Sequence, residues 1–232
     1  MIGEVGAACY GSDMTEHMTE RFEIDGVKVR VELPEAHATD GARRYPLLLV
    51  LTHSLDAKEW ADRLHAEGIL PEMILVTAEG GEEADPAKLL HGIAARYRVL
   101  ESPAARWICG AGHDAVTALR AVLDHPGLFG AAACLSTSFE GTEGAPPIHS
   151  PMLRELEGRH SLPEGIRIHF DYGTVGLDEC YEPYHRDLGA ILRAKGWKDD
   201  REFRVTRAQG GSHDPASWRK RLGPALRWLA GR

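Results

Sequence analysis

A glycine-bracketed turn in Arg106–Leu119 has the spacing of a site for nucleophilic catalysis but lacks the nucleophile. The stretch reads RWICGAGHDAVTAL, which predicts a buried strand, a turn and the start of a helix. In the pattern G-x-S-x-G, a strained turn of this kind lifts a serine hydroxyl above the edge of a sheet. With Gly110 on the first glycine of the pattern, Gly112 falls on the serine and Asp114 on the last glycine. The sequence therefore predicts the turn without an attacking atom.

Alternating strands and helices place this turn in an α/β fold. A hairpin is predicted first, at Arg21–Leu33, because apolar and polar residues alternate there around Asp25-Gly26. Buried strands follow at Leu47–Leu51, Met73–Thr77, Trp107–Cys109, Ala131–Leu135, Ile166–Asp171 and Glu202–Thr206. Helices are predicted at Asp56–Glu67, Pro86–Arg98, after the glycine turn, near Met152–Glu157, and at Tyr181–Lys195 and Ser217–Ala230. This order indicates a mostly parallel sheet with helices on both faces.

The length of the chain suits one large domain. Its 232 residues are 43% hydrophobic, enough to build a core on both faces of a sheet. Residues 1–19 lack periodicity and are predicted to form a mobile N-terminal arm, so that the domain spans 20–232. The Gly- and Pro-rich segment Ser136–Pro163 is expected to lie over the carboxyl edge of the sheet, where loops line the binding crevice of open α/β sheets.

Charge and cysteine usage predict a soluble cytoplasmic protein that acts on a small molecule. The net charge is −8 and the 27 Lys and Arg residues are scattered, which argues against nucleic acid or an anionic membrane as partners. A small neutral or cationic ligand is favoured. The four cysteines form no C-x-x-C pair, and the sequence shows neither a leader nor a run of 18 apolar residues. Homodimer formation is left open.

Several stretches in the same order along the chain resemble the esterase D and enterochelin-esterase group of α/β-hydrolases, the putative esterase family. They are RYPLLLVL, ARWICGAG, DHPGLFGAAACLS, FDYGT and GGSHDPASWRKRLGPALRWL, covering roughly residues 44–230. The resemblance implies a three-layer α/β-hydrolase fold without a separate cap domain. It also implies a serine, an acid and a histidine in that chain order.

The resemblance further implies which residues complete the site. His213, in GGSHD, falls on the catalytic histidine of the family. The acid is expected in the loop GTVGLDE, with Asp178 preferred and Glu179 as the alternative, whereas Asp171 is expected at the end of a strand. Outside this context, Asp178 could equally be the N-cap of the following helix, and His213 an ordinary loop histidine.

The resemblance also implies an oxyanion hole made of the backbone N–H groups of Ser54 and His113. His53, in LTHSL, stands where the family usually has glycine, so this position departs from the family together with Gly112. His53, His113 and His213 would then share one sheet edge, and three imidazoles with a carboxylate can hold zinc. Because no H-x-x-x-H spacing is present, no metal or other cofactor is predicted.

Four hypotheses about function remain open, and the first is favoured. His213 and Asp178 could act together as a general base, on a water or on a proton of a small ester- or carbonyl-containing substrate, giving direct hydrolysis or an elimination, isomerisation or cyclisation. Alternatively, the chain is a catalytically dead esterase homologue, a pseudoenzyme that binds a ligand or partner. It could also be a serine esterase inactivated by Ser→Gly at position 112. A displaced nucleophile, with Ser54 the nearest, is the least favoured hypothesis.

Overall fold

Eight strands form one sheet in this computed structural model, which describes residues 19–79, 84–139 and 150–231. The strands are β1 (Thr19–Ile24), β2 (Val27–Glu32), β3 (Leu47–Val50), β4 (Ile74–Glu79), β5 (Arg106–Ala111), β6 (Ala131–Leu135), β7 (Arg167–Val175) and β8 (Phe203–Ser212). Their order across the sheet is β1-β2-β4-β3-β5-β6-β7-β8. The pairs β1/β2 and β2/β4 are antiparallel, and all others are parallel.

Helices cover both faces of the sheet. In the described part of the chain they are α1 (Ala36–Thr39), α2 (Ala57–Ala66), α3 (Pro86–Ala94), α4 (His113–Asp124), α5 (Pro151–Gly158), α6 (Glu182–Ala194) and α7 (Pro215–Leu229). The buried residues of α2 and α7 pack into one core cluster, and those of α3, α4, α5 and α6 pack into the other. The predicted three-layer arrangement is confirmed. No helix in these ranges is both long enough and apolar enough to cross a membrane.

The central strands are continuously apolar because both of their faces are covered. In β3, Leu47 and Leu49 belong to the cluster under α3 and α4. Leu48 and Val50 belong to the cluster under α2 and α7. All four side chains are almost completely buried. Because β3 and β5 are parallel neighbours, their carboxyl ends lie side by side at one edge, where the loops that follow them meet.

The predicted hairpin is present between β1 and β2. Asp25 and Gly26 both have positive φ angles, +50° and +82°, as a two-residue hairpin turn of this hand requires. The register pairs Thr19 with Glu32, so Thr19 belongs to β1 and not to the arm. The rest of the predicted arm, residues 1–18, lies outside the described residues.

Strands β7 and β8 are longer than the sequence patterns predict. Their ends were expected at Asp171 and Thr206, but the two strands stay paired beyond the point where β6 stops. Glycines allow this close approach, since a Cβ on Gly173 would lie 2.1 Å from the carbonyl oxygen of Gly211. Asp171 therefore lies inside a strand, and the expectation that it ends one is wrong. The turn after β7 and the loop after β8 therefore begin beyond the point where β6 ends.

One helix boundary also differs. Helix α3 ends at Ala94 instead of continuing to Arg98, because Tyr45 forms a parallel bridge with Val99 and its N–H bonds the Arg98 carbonyl oxygen. Within the predicted loop Ser136–Pro163, α5 is the expected short helix. Residues 140–149 of that loop lie outside the described residues.

Candidate active site

Gly112 forms a sharp turn between β5 and α4, as predicted. Its φ and ψ angles are +61° and −121°, a conformation that glycine adopts without strain from a side chain. Gly110 is also required here, because a Cβ on it would lie 2.4 Å from the backbone carbonyl oxygen of Asp114. The helix begins immediately after the turn, so its first N–H groups have no partner within the helix and lie at the carboxyl edge of the sheet.

His213 and Asp178 are hydrogen-bonded to each other beside this turn. His213 follows β8 directly, and Asp178 lies in the 3₁₀ turn Gly176–Tyr181 that follows β7. Nδ1 of His213 lies 2.8 Å from Oδ1 of Asp178. A Cβ built on Gly112 would lie 3.1 Å from Nε2 of His213. The other ring nitrogen of His213 therefore faces the space above Gly112, and three of the residues named from the sequence come together.

Asp178 is a buried carboxylate with several donors around it. Besides His213, it accepts hydrogen bonds from Ser136 Oγ (2.5 Å), the N–H of Gly173 (2.7 Å) and Arg221 Nη2 (3.3 Å). Burial by itself would raise the pKa of Asp178, but these hydrogen bonds and the charge of Arg221 hold that pKa below its usual value. The group is thus an anion at neutral pH, suited to orient the His213 imidazole.

Asp178 does not cap a helix. The N-cap position of α6 is occupied by Tyr181, which makes no side-chain cap hydrogen bond. The alternative acid, Glu179, is exposed, and its Oε1 accepts the N–H of Gly176 at 3.3 Å. The geometry therefore favours Asp178 over Glu179 as the partner of His213.

Two aromatic rings hold the imidazole from its sides. The ring of Trp218 stands nearly perpendicular to that of His213, with centroids 4.9 Å apart. The ring of Tyr181 does the same at 5.7 Å. Edge-to-face contacts of this kind restrict the orientation of the His213 ring, so its position is set by packing as well as by the carboxylate.

The loop after β3 is fastened to the start of α4. Oγ of Thr52 accepts the N–H of Ala111 at 2.9 Å and donates to Oδ2 of Asp114 at 2.7 Å. The 3₁₀ turn His53–Leu55 follows, with Ser54 partly buried in it. Thr52 was not predicted as a site residue, although a hydroxyl directly after a buried parallel strand is a usable signal. The hydrogen bonds of Thr52 thus hold the turn that contains Ser54 next to the start of α4, where His113 lies.

The histidines of this edge are not grouped as metal ligands in the described part of the chain. The side chains of His53 and His113 are exposed. Among residues 19–79, 84–139 and 150–231, no group of three or more His, Cys, Asp and Glu side chains is placed to hold a metal ion. The zinc alternative therefore receives no support from the geometry of this region.

Asp171, Ser136 and Arg221 form a buried polar group below the His213–Asp178 pair. Oδ1 of Asp171 accepts the N–H of Ser136 and Nη1 of Arg221, both at 2.9 Å. None of the three was predicted as a functional residue. Arg221 could have been noticed, because it lies within the apolar stripe of α7, next to Leu222.

Asp171→Asn should change how stability depends on pH. Burial raises the pKa of Asp171 from its usual value of 3.8 to about 6, against the lowering effect of Arg221 and the Ser136 N–H. Between those values, the folded protein keeps a proton that the unfolded chain has lost. Ionisation of Asp171 therefore subtracts stability as the pH rises through this window. Because the amide of Asp171→Asn does not ionise, the variant does not lose this stability. Its amide oxygen can still accept hydrogen bonds from the Ser136 N–H and from Arg221.

Chemical denaturation of the two proteins from pH 4 to pH 7 measures this effect. The free energy of unfolding of the variant, relative to that of the parent, should increase with pH by up to about 3 kcal/mol and then level off above pH 6. A difference that stays constant across this range would contradict the prediction.

Comparison with known proteins identifies the fold. The sequence matches no family model and is not significantly similar to any curated protein with which it was compared. In structure it is similar to a ferulic acid esterase, with a TM-score of 0.73 at 18% identity over 93% of this chain and 98% of the other. It is also similar to S-formylglutathione hydrolase from Staphylococcus aureus, with a TM-score of 0.66 at 14% identity over 97% and 100% of the two chains.

A third similar structure is the ferric enterobactin esterase from Salmonella typhimurium. The TM-score is 0.69 at 18% identity, with 94% of this chain aligned. The aligned region spans 59% of the length of that esterase. These likenesses confirm the predicted fold, a three-layer α/β-hydrolase fold.

Proposed function

We propose that this chain hydrolyses small esters directly, with His213 acting as a general base on a water molecule held above Gly112. The observation that carries the proposal is the position of Nε2 of His213. It lies within hydrogen-bond reach of the space that a side chain at position 112 would occupy, 3.1 Å from the site of its Cβ. A water there can lose a proton to Nε2, because the Nδ1–H of the same ring is held by the ionised Asp178.

The proposed reaction forms no covalent bond between the substrate and the enzyme. The water oxygen attacks the ester carbonyl carbon while one of its protons passes to Nε2 of His213, and the carbonyl electron pair moves onto the carbonyl oxygen. The N–H groups of Ser54 and His113 would receive that oxyanion, which the N-terminus of α4 also favours. Collapse of the tetrahedral intermediate expels the alcohol oxygen, which takes the proton back from the imidazolium. The products are a carboxylic acid and an alcohol.

The ionised acid favours this function over a pseudoenzyme. A surface that only binds a ligand has no need for a fully buried carboxylate bonded to a histidine, since burying a charge is costly unless it is paired. Asp178 is completely buried and is paired on both of its oxygens. The arrangement therefore supports retained acid–base chemistry at this edge of the sheet.

Gly112→Ala tests whether a water above Gly112 is the nucleophile. The methyl group would occupy the space facing Nε2, so the water could no longer approach it. Hydrolysis of an aryl acetate should fall by roughly 10-fold or more, while the His213–Asp178 pair stays in place. The parent should show a time course without a burst and no labelling by a fluorophosphonate, because no acyl-enzyme forms.

Gly127→Ala is the matched control, because Gly127 is exposed after α4 and has no atom within 4 Å of its Cβ position. This variant should hydrolyse the ester as the parent does. If a folded Gly112→Ala protein retains full hydrolysis, water activation above Gly112 is wrong. If the parent is labelled by the fluorophosphonate, a displaced nucleophile acts instead.

A further inference from the structure

Ser136, a buried serine directly after β6, is hydrogen-bonded to the candidate acid Asp178. The side chain of Ser136 is fully buried, and its Oγ donates to Oδ2 of Asp178 at 2.5 Å. The same oxygen accepts Nη2 of Arg221 at 2.7 Å and Nε1 of Trp218 at 2.9 Å. One hydroxyl therefore connects the acid with two side chains of α7, one of which packs against the His213 ring.

The backbone of Ser136 is held in a conformation that serine rarely adopts. Its φ angle is +44°, in the left-handed region, where glycine would be free of strain. The N–H of Ser136 bonds Oδ1 of Asp171, which stabilises the conformation from the other side. Only a hydroxyl-bearing residue with this backbone conformation makes the contact with Asp178 described above. A serine stands here at a position where the turn alone would favour glycine.

Arg221 connects the acid with the segment that carries the histidine. Its side chain is nine-tenths buried, and Nη1 bonds Asp171 at 2.9 Å. Nη2 bonds both Oδ2 of Asp178, at 3.3 Å, and the carbonyl oxygen of Ser212, at 3.1 Å. Ser212 directly precedes His213 in the chain. One planar guanidinium therefore sets the distance between the Asp178 carboxylate and the backbone of its partner.

We propose that Ser136 and Arg221 are positioning residues that hold the Asp178 carboxylate in the rotation that presents Oδ1 to His213. Ser136, Arg221 and the N–H of Gly173 together occupy Oδ2. Only Oδ1 is then left for the histidine, and the carboxylate cannot turn away from it. Among the described residues other than the chain neighbours of Gly112, only His213 has atoms within 4 Å of the Cβ position of Gly112, so Ser136 acts through Asp178, and Arg221 acts through Asp178 and the Ser212 carbonyl. This inference rests on the proposed function of the His213–Asp178 pair.

Two substitutions of Ser136 separate the effect of its hydroxyl group from the effect of its strained backbone conformation. Ser136→Ala removes the hydroxyl and keeps the strained φ angle. Ser136→Gly removes the hydroxyl and relieves the strain, so it keeps the fold if the alanine variant does not. In both, kcat for an activated ester should fall roughly 10-fold or more with KM within about 2-fold, because misplacement of a catalytic group affects the chemical step and not ground-state binding.

A second readout does not depend on activity. A proton held between Nδ1 of His213 and a carboxylate gives a far-downfield proton NMR signal, which His213→Ala assigns by its loss. The parent should show this signal, and both Ser136 variants should lose or broaden it. Arg221→Lys should do the same, because an ammonium group keeps the charge but cannot span Asp171, Asp178 and the Ser212 carbonyl together.

Arg159→Met is the matched control for Arg221→Lys, because it removes an arginine that is paired with two carboxylates away from the candidate site. Arg159 pairs with Asp124 and Glu155 at the opposite end of α4 from Gly112. This variant should lose thermal stability and retain both kcat and the downfield signal.

The outcomes separate the two proposals. If the Ser136 and Arg221 variants lose only thermal stability and keep the NMR signal and kcat, their role is structural and the inference is overturned. Absence of the downfield signal in the folded parent also overturns the inference, because the hydrogen bond between His213 and Asp178 is then not held in place. If the parent lacks turnover but shows the signal, and the variants lose it, the proposed function fails and the positioning role stands.

Discussion

Gly112→Ser should create a serine esterase that works through an acyl-enzyme. The backbone at position 112 already has φ and ψ of +61° and −121°, so the turn needs no rebuilding. The new Cβ would meet only His213, at 3.1 Å from Nε2 and 3.4 Å from Cε1, and a shift of a few tenths of an ångström in that ring relieves the contact. The serine hydroxyl would then lie beside a histidine held by an ionised acid.

The expected gain is roughly 10²-fold or more in hydrolysis of a short-chain aryl ester, together with a burst and labelling by a fluorophosphonate. The same substitution should lower the free energy of unfolding by about 1–3 kcal/mol, because serine is strained at this positive φ angle. Gain of activity with loss of stability is the expected signature of a nucleophile elbow. Enzyme kinetics and chemical denaturation measure the two effects.

Two controls make this prediction specific. Gly112→Ala carries the same backbone strain without a hydroxyl and should show neither a burst nor labelling. The double variant Gly112→Ser, His213→Ala should lose the gain again, because nucleophile and base act as a unit. If a folded Gly112→Ser protein is neither active nor labelled, the oxyanion loop is blocked. His53 is the first residue to change in that case, since it replaces the glycine implied by the family resemblance.

His213→Ala in the otherwise unaltered chain should reduce ester turnover by roughly 10²–10⁴-fold, the usual contribution of a positioned general base. Substrate binding should change little, because the imidazole is needed to take the proton and not to hold the ester. Comparison of kcat and KM with those of the parent measures this effect.

The two neighbouring carboxylates provide a matched pair for this prediction. Asp178→Asn should lower turnover in the same direction as His213→Ala, because the amide no longer stabilises the imidazolium. Glu179→Gln should leave turnover unchanged, because Glu179 is exposed and bonds only the Gly176 N–H in the described structure. If His213→Ala has no effect on turnover, His213 is not the general base and the proposed mechanism is wrong.

Local sequence patterns were sufficient for most of the elements. The apolar run of β3, the Asp25-Gly26 hairpin turn and the glycine turn at Gly112 each depend on residues close together in the chain. Periodicity and turn chemistry report on such residues directly. Where the pattern was ambiguous, tertiary contacts decided the boundary. One example is the end of α3, which the Tyr45–Val99 bridge sets from outside the helix.

By itself, the sequence predicted a strand-to-helix turn with Gly112 at the serine position of the G-x-S-x-G pattern, together with a histidine and a choice of acids in the order of the resembled family. Only the tertiary structure decided that Asp178 and not Glu179 faces His213. That pairing depends on how far β7 and β8 extend, which the close approach of Gly173 and Gly211 allows.

The supporting network was also beyond the reach of the sequence. Ser136 and Arg221 are 85 positions apart in the chain, and their meeting below Asp178 depends on α7 packing across β6 and β7. Hydrophobic periodicity cannot predict a contact between residues so far apart in the chain. The sequence therefore determined the chemical groups, which are properties of single residues and short segments. The tertiary structure decided their pairing, because a hydrogen bond requires distances and angles that only the packed elements set.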